Sequence, residues 1–237
     1  MRVFVTGATG FVGSAVVQEP IEAGHQVLGL ARSDAGAKSL AAAGADVLRG
    51  VLEDTSCLKS GAAAADAVIH LGFNHDFSDF LKNCETDKQA IEAIGSVLSG
   101  SDKPFIVTSG LAGLAAAPGE LATEESSIPP NFPMPRVSEQ TALSLLPKSV
   151  RVSVVRLSQI HDTTKQGLIT FAIATAREKG VLPMLATERT VGRPRTSMML
   201  AAFTGSRWKS LKLARNGMRL PKIAFGCAIL RKSSVKA

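Results

Sequence analysis

Eight residues near the start of the chain constrain its fold most. Thr6-Gly7-Ala8-Thr9-Gly10-Phe11-Val12-Gly13 has G-x-x-G-x-x-G spacing, set between the apolar run from Arg2 to Thr6 and a helix-like stretch from Phe11 to Ala23. Three glycines are informative only in such a strand-to-helix context, where each has a separate task. Gly7 permits the tight turn, Gly10 lets a ligand approach the backbone, and Gly13 lets the helix pack close to the strand. A helix beginning at that point offers N–H groups and a partial positive charge, which suit phosphate.

The alternation started there continues. Further strands are expected at Gln26–Leu30, Asp46–Leu48, Ala67–Leu71, Pro104–Thr108 and Val150–Leu157, with helices at Lys38–Ala43, Phe77–Leu98 and Ser138–Leu146. A Pro- and Gly-rich loop separates Gly110 from Pro135. Continuous apolar strands spaced by helices predict an α/β chain, a doubly wound parallel-sheet Rossmann fold. His70 lies inside an apolar strand and reads as a core histidine with its partners supplied. Pro20 falls inside the first helix, where it removes a hydrogen bond, so that helix is expected to end or kink there.

The end of the second strand governs which nucleotide such a turn accepts. A chain selecting NAD carries an acidic residue there for the ribose 2′-hydroxyl. Here Ala31-Arg32-Ser33 follows Leu30, and Asp34 comes one step later. Arg32 and Ser33 can hold a 2′-phosphate, so NADP is expected ahead of NAD. The alternative for Arg32 is a solvated loop arginine that stacks on adenine.

T-G-A-T-G-F-V-G followed by A-R-S resembles the extended short-chain dehydrogenase/reductases, the group of NAD-dependent epimerases and dehydratases. Val68-Ile69-His70-Leu71-Gly72, Ile106-Val107-Thr108-Ser109-Gly110 and Val154-Val155-Arg156-Leu157 extend the resemblance to about residue 185. It implies a cofactor site built from Gly7, Thr9, Gly10, Phe11, Val12, Gly13, Arg32, Ser33, Leu52, Leu71, Gly72, Phe73, Leu157 and Ile160. It places Ser109 at the catalytic serine position. It also implies a small-molecule substrate and a homodimer formed through two helices of the core. Relatives usually have an aspartate near adenine where this chain has Val51.

The family's catalytic pair is Tyr-x-x-x-Lys, and this chain contains no tyrosine. Aligned on that motif, Pro135 takes the Tyr position and Glu139 the Lys position. Proline has no proton to give, and a carboxylate has the wrong charge to lower a phenol's pKa. His75, His161 and Arg136 are the alternative proton carriers within reach. Two functions follow as expectations. One is an atypical NADP-dependent oxidoreductase acting on a small carbonyl or alcohol; the other is a non-catalytic NAD(P)-binding protein.

Charge is distributed unevenly. Residues 188–237 hold 12 Lys and Arg against one acid, whereas residues 1–187 hold 15 bases and 19 acids. The chain therefore divides into a nucleotide-binding domain, 1–186, and a basic tail, 187–237. Taking the third base of each codon with the first two of the next, Met198-Met199 forces Asp and Trp208-Lys209 forces Glu. Thr187 to Leu213 then permits G-T-N-R-W-x-x-x-H-V-D-D-A-x-R-L-Y-R-L-A-L-E-V-A-E-A, close to the substrate-lobe segment that the resemblance implies. Each step admits only a few residues, so the agreement favours a frameshifted remnant of a truncated or aberrant substrate lobe. An evolved basic tail is the alternative, and it would suit RNA or acidic lipid. Phe203, Trp208 and Phe225 are too sparse for a base-stacking platform, which argues against a nucleic-acid partner.

Compartment and metal content follow from simpler features. No apolar run approaches the ~18 residues of a membrane span. No leader is evident ahead of the first strand. The widely spaced Cys57, Cys84 and Cys227 suggest reduced thiols in a cytoplasmic protein, with no metal site.

Overall fold

In the computed structural model, six parallel strands form one sheet in the order β3-β2-β1-β4-β5-β6. The structure describes residues 1–111, 126–129 and 136–157, together with 114, 123, 132, 160, 174 and 177–180. The strands are β1 (Arg2–Thr6), β2 (Gln26–Ala31), β3 (Asp46–Arg49), β4 (Ala67–His70), β5 (Pro104–Gly110) and β6 (Arg151–Leu157). The helices between them are α1 (Phe11–Glu22), α2 (Asp34–Ala42), α3 (Thr55–Ala63), α4 (Phe80–Leu98) and α5 (Ser138–Leu143). The chain order reverses between β1 and β4, so a crevice opens beyond their carboxyl ends.

The period of two along each strand sorts side chains between two cores. From β1, Val3 and Val5 join Val16, Val17, Val27, Leu40, Ile69 and Ile106 on the α1 and α2 face. Phe4 points the other way, into a cluster with Leu58, Val68, Ile91, Ile94, Leu98, Phe105 and Leu145. Both faces are covered, which is why the strands read as unbroken apolar runs.

Several boundaries differ from the expected ones. Helix α2 begins at Asp34, not Lys38, because Ser33 Oγ accepts from the Gly36 N–H and caps the extra turn. Helix α3 was not anticipated; its stretch Thr-Ser-Cys-Leu-Lys-Ser-Gly-Ala-Ala carries little apolar periodicity, and Asp54 starts it by accepting from the Cys57 N–H. The long helical stretch at Phe77 divides into a 3₁₀ turn, Phe77–Asp79, and α4. Helix α5 stops at Leu143, and a second 3₁₀ turn covers Leu146–Lys148. Helix α1 runs two residues past Pro20 to Glu22, so the bond that proline removes belongs to the final turn, where the loss matters least. Among the described residues no helix is long and apolar enough to cross a membrane. Residues 187–237 lie outside the described residues.

Candidate functional site

The glycine turn connects β1 to α1 at the crevice. Gly7 has φ +65°, and a Cβ there would stand 2.7 Å from both the Gly72 nitrogen and the Leu71 carbonyl carbon. At Gly13 a Cβ would lie 1.9 Å from the Gly7 carbonyl oxygen, so any side chain would push α1 off the turn. Gly10 closes the turn by donating from its N–H to Gly7 O at 2.9 Å. It also precedes α1 without any side-chain cap. Thr9 and Gly10 are exposed, and Phe11 and Val12 are half-buried beside them. The result is a cradle of backbone at a helix N-terminus, which fits the pyrophosphate of a dinucleotide.

Beyond β2, Arg32 is exposed and makes no ion pair among the described residues. Ser33 uses a lone pair to cap α2, leaving its own O–H to donate elsewhere. The neighbouring carboxylate of Asp34 is engaged by Arg49 at 2.8 Å. Leu52 packs over Gly72, with its Cδ2 2.8 Å from where a Cβ would stand. Val51, at the place of the usual aspartate, is 41% exposed.

A chain of buried polar groups runs from this cradle to α5. The Gly72 N–H donates to Thr6 Oγ1 at 3.2 Å, and Thr6 Oγ1 lies 2.8 Å from His70 Nδ1. His70 Nε2 lies 3.1 Å from Asp87 Oδ1, and Ser138 Oγ donates to Asp87 Oδ2. Arg136 Nε then donates to Ser138 Oγ at 2.9 Å. One assignment satisfies every member: the His70 proton sits on Nε2 toward Asp87, and Thr6 donates to Nδ1. His70 is thus the partnered core histidine expected. Asp87 and Ser138 were missed. Asp87 lies four residues before Ile91 and seven before Ile94, on the apolar face of α4. A carboxylate on such a stripe requires partners, and that was the available signal.

Arg136 emerges at the crevice with its Cζ 4.0 Å from the centre of the Phe73 ring. His75 stacks edge-on against Phe73, with centroids 5.0 Å apart. Desolvation among these rings, reinforced by the Arg136 charge, holds the His75 pKa below its ordinary value. His161 and Pro135 lie outside the described residues.

Glu139 does not face the crevice as its alignment with the lysine position suggested. It is 4% exposed and takes both Arg156 Nε and Nη2, at 2.8 and 2.6 Å. Arg156 Nη2 also donates to Ser126 O at 2.7 Å. The pair joins α5 to β6, which is a structural use of the carboxylate. Ser109, opposite Arg156 in the β5–β6 register, is buried with its hydroxyl bonded to no other described group. Leu71 and Phe73 are half-buried after β4, Gly72 is buried between them, Leu157 ends β6 half-buried, and Ile160 is buried.

Similarity to known proteins agrees with this geometry. The family model for the NAD dependent epimerase/dehydratase family matches residues 3–136. An uncharacterized protein of Schizosaccharomyces pombe is 45% identical over 183 residues, 76% of this chain and 61% of its own length. One of Saccharomyces cerevisiae is 44% identical over 185 residues, with the same coverage. The chain thus spans about three-fifths of the relatives it matches. UDP-glucose 4-epimerase of Thermus thermophilus, solved in complex with NAD, superposes with TM-score 0.66 at 19% identity, over 87% of this chain and 74% of that one. With its glycine cradle, strand order and matched stretch all in agreement, the chain belongs to the NAD-dependent epimerase/dehydratase family of extended short-chain dehydrogenase/reductases.

Proposed function

We propose that this protein is an atypical NADP-dependent oxidoreductase acting on a small carbonyl or alcohol substrate. The observation that carries the choice of NADP is the arrangement after β2. The exposed Arg32 has no partner among the described residues, Ser33 keeps an O–H to donate, and the adjacent carboxylate, Asp34, is tied to Arg49. Those groups suit a 2′-phosphate, whereas a free carboxylate there would repel it.

Gly7, Gly10 and Gly13 shape the pyrophosphate cradle, Thr9, Phe11 and Val12 border it, and Leu52 and Leu71–Phe73 form its neighbouring wall. When bound, the nicotinamide supplies or removes a hydride. Ser109 orients the substrate oxygen with the hydroxyl that no other described group uses, while Leu157 and Ile160 exclude water from the β6 side. A panel of carbonyl compounds assayed for NADPH oxidation tests this reading; turnover of at least one is expected.

A second reading has support of its own. Glu139 is committed to Arg156 and no tyrosine exists, so the usual acid–base pair is absent. NADPH binding without turnover on any compound would favour a non-catalytic nucleotide-binding protein. The free thiols of Cys57 and Cys84 support a cytoplasmic setting. We also propose that residues 187–237 are read in a shifted frame, supported by the family-like segment that the alternative codon phase permits from Thr187 to Leu213. Sequencing the codons for Leu185 to Glu188 in independent isolates tests that; an uninterrupted frame in all of them would refute it.

A further inference from the structure

We propose that Arg136 is the anion-binding residue on the substrate side of the crevice, and that the substrate carries a carboxylate. This rests on the crevice holding a nicotinamide nucleotide. Three contacts fix the guanidinium. The Phe73 ring lies 4.0 Å from Cζ, Nε donates to Ser138 Oγ, and Asp87 Oδ2 stands 4.0 Å from Nε. Ser138 is itself held by Asp87, and Asp87 by His70, so the seat of Arg136 is continuous with Thr6 at the end of β1.

What that seat leaves unused is the outer edge of the side chain. The Arg136 side chain is only 21% exposed, yet its two Nη groups bond to no other described group. A planar fork with fixed orientation and N–H donors that no described group takes up matches a carboxylate in a bidentate way. Its position supports the same use. Phe73 follows Gly72, whose backbone nitrogen adjoins the Gly7 turn, so Arg136 lies at the same strand ends as the nucleotide cradle.

Arginine also cannot replace the missing tyrosine as a proton donor, because its guanidinium stays protonated throughout the working range. Its contribution is charge and geometry. Partial burial lowers the pKa of Arg136, and Asp87 opposes that shift, in keeping with a cation that gains by meeting an anion. Nearby His75 is held toward its neutral form and does not compete for the anion.

Oxalate, a small dicarboxylate, serves as the probe. The full chain saturated with NADPH is titrated with oxalate and followed by thermal shift, in parallel with Arg136→Gln, Arg136→Lys and Phe73→Leu. The expected result is saturable oxalate binding by the unaltered chain, weakened roughly ten- to hundredfold in Arg136→Gln. Arg136→Lys should keep part of the affinity as a point charge, and NADPH affinity should change less than about twofold in both. Phe73→Leu retains the charge but loosens its seat, so it should weaken oxalate by a smaller factor and keep the test open if Arg136→Gln does not fold. Oxalate binding Arg136→Gln as well as the unaltered chain, or binding neither, would overturn the proposal. So would a tenfold loss of NADPH affinity in Arg136→Gln, which would assign the residue to the nucleotide. Failure of the unaltered chain to bind NADPH would remove the nucleotide reading, and this proposal with it.

Discussion

Arg156 and Arg136 are both drawn to helix α5, one through Glu139 and the other through Ser138, but they are used differently. Arg156 is 1% exposed, and both its Nε and an Nη group close a bidentate pair with the Glu139 carboxylate. Among the described residues Arg136 bonds through Nε alone, to a hydroxyl with Asp87 4.0 Å away, and rests its face on Phe73. A buried ion pair whose donors are matched by acceptors ties elements together and leaves nothing for a ligand. A desolvated cation with donors to spare keeps them for one. Two consecutive residues in the first turn of α5 thus serve differently, Glu139 tying the helix to β6 and Ser138 holding Arg136.

Removing the partner from the saturated arginine should do the most damage. Glu139→Gln removes the buried carboxylate that Arg156 grips with two N–H groups and is expected to cost about 3–5 kcal/mol in chemical denaturation. A loss under about 1 kcal/mol would mean that the pair is not the structural joint described. Gly13→Ala comes next. Its Cβ would meet the Gly7 carbonyl, so a loss near the top of the roughly 1–3 kcal/mol range for overpacking is expected, together with loss of NADPH binding. Retained NADPH affinity would show that close approach of α1 to the turn is unnecessary.

Arg32→Ala probes the nucleotide end alone. Losing a charge-assisted contact to a 2′-phosphate should weaken NADPH by about 1.5–3 kcal/mol and leave NADH unaffected, as read by calorimetric titration. Equal losses for both cofactors would place Arg32 against adenine instead. The smallest effect on stability belongs to Arg136→Gln, at about 1–2 kcal/mol, since a cation–π contact, one hydrogen bond and the 4.0 Å approach to Asp87 are removed from a side chain that keeps some contact with water. A cost comparable to that of Glu139→Gln would erase the distinction between the two arginines.

The sequence made the sheet and the glycine turn legible because both rest on local rules. Apolar runs of strand length recur between helical stretches, and each glycine in Gly7 to Gly13 answers a steric demand within a few residues. His70 could be read as partnered because a polar group inside Ala67–Leu71 has to be. Helix α3 escaped notice because Leu58 is its one large fully buried side chain, and its best local marker was the single capping residue Asp54. Glu139 was placed by motif spacing, whereas its partner Arg156 lies 17 residues away on a strand. The Asp87–Ser138 bond spans 51 residues, and only the folded sheet brings its ends together. Tertiary pairing of this kind leaves no periodic trace, so the polar chain from Thr6 to Arg136 became visible only in the structure.

The central claim is that the turn from Gly7 to Gly13 and the Arg32–Ser33 pair together form an NADPH site. A thermal-shift titration with NADPH and NADH in parallel tests it most directly. At 100 times its Kd a ligand bound by the native state alone adds about 2.7 kcal/mol of stability, an upward shift of several degrees for a domain of this size. The account predicts that NADPH raises the melting temperature at concentrations where NADH does not. A cooperative melt left unmoved by either nucleotide, or moved equally by both, would contradict it.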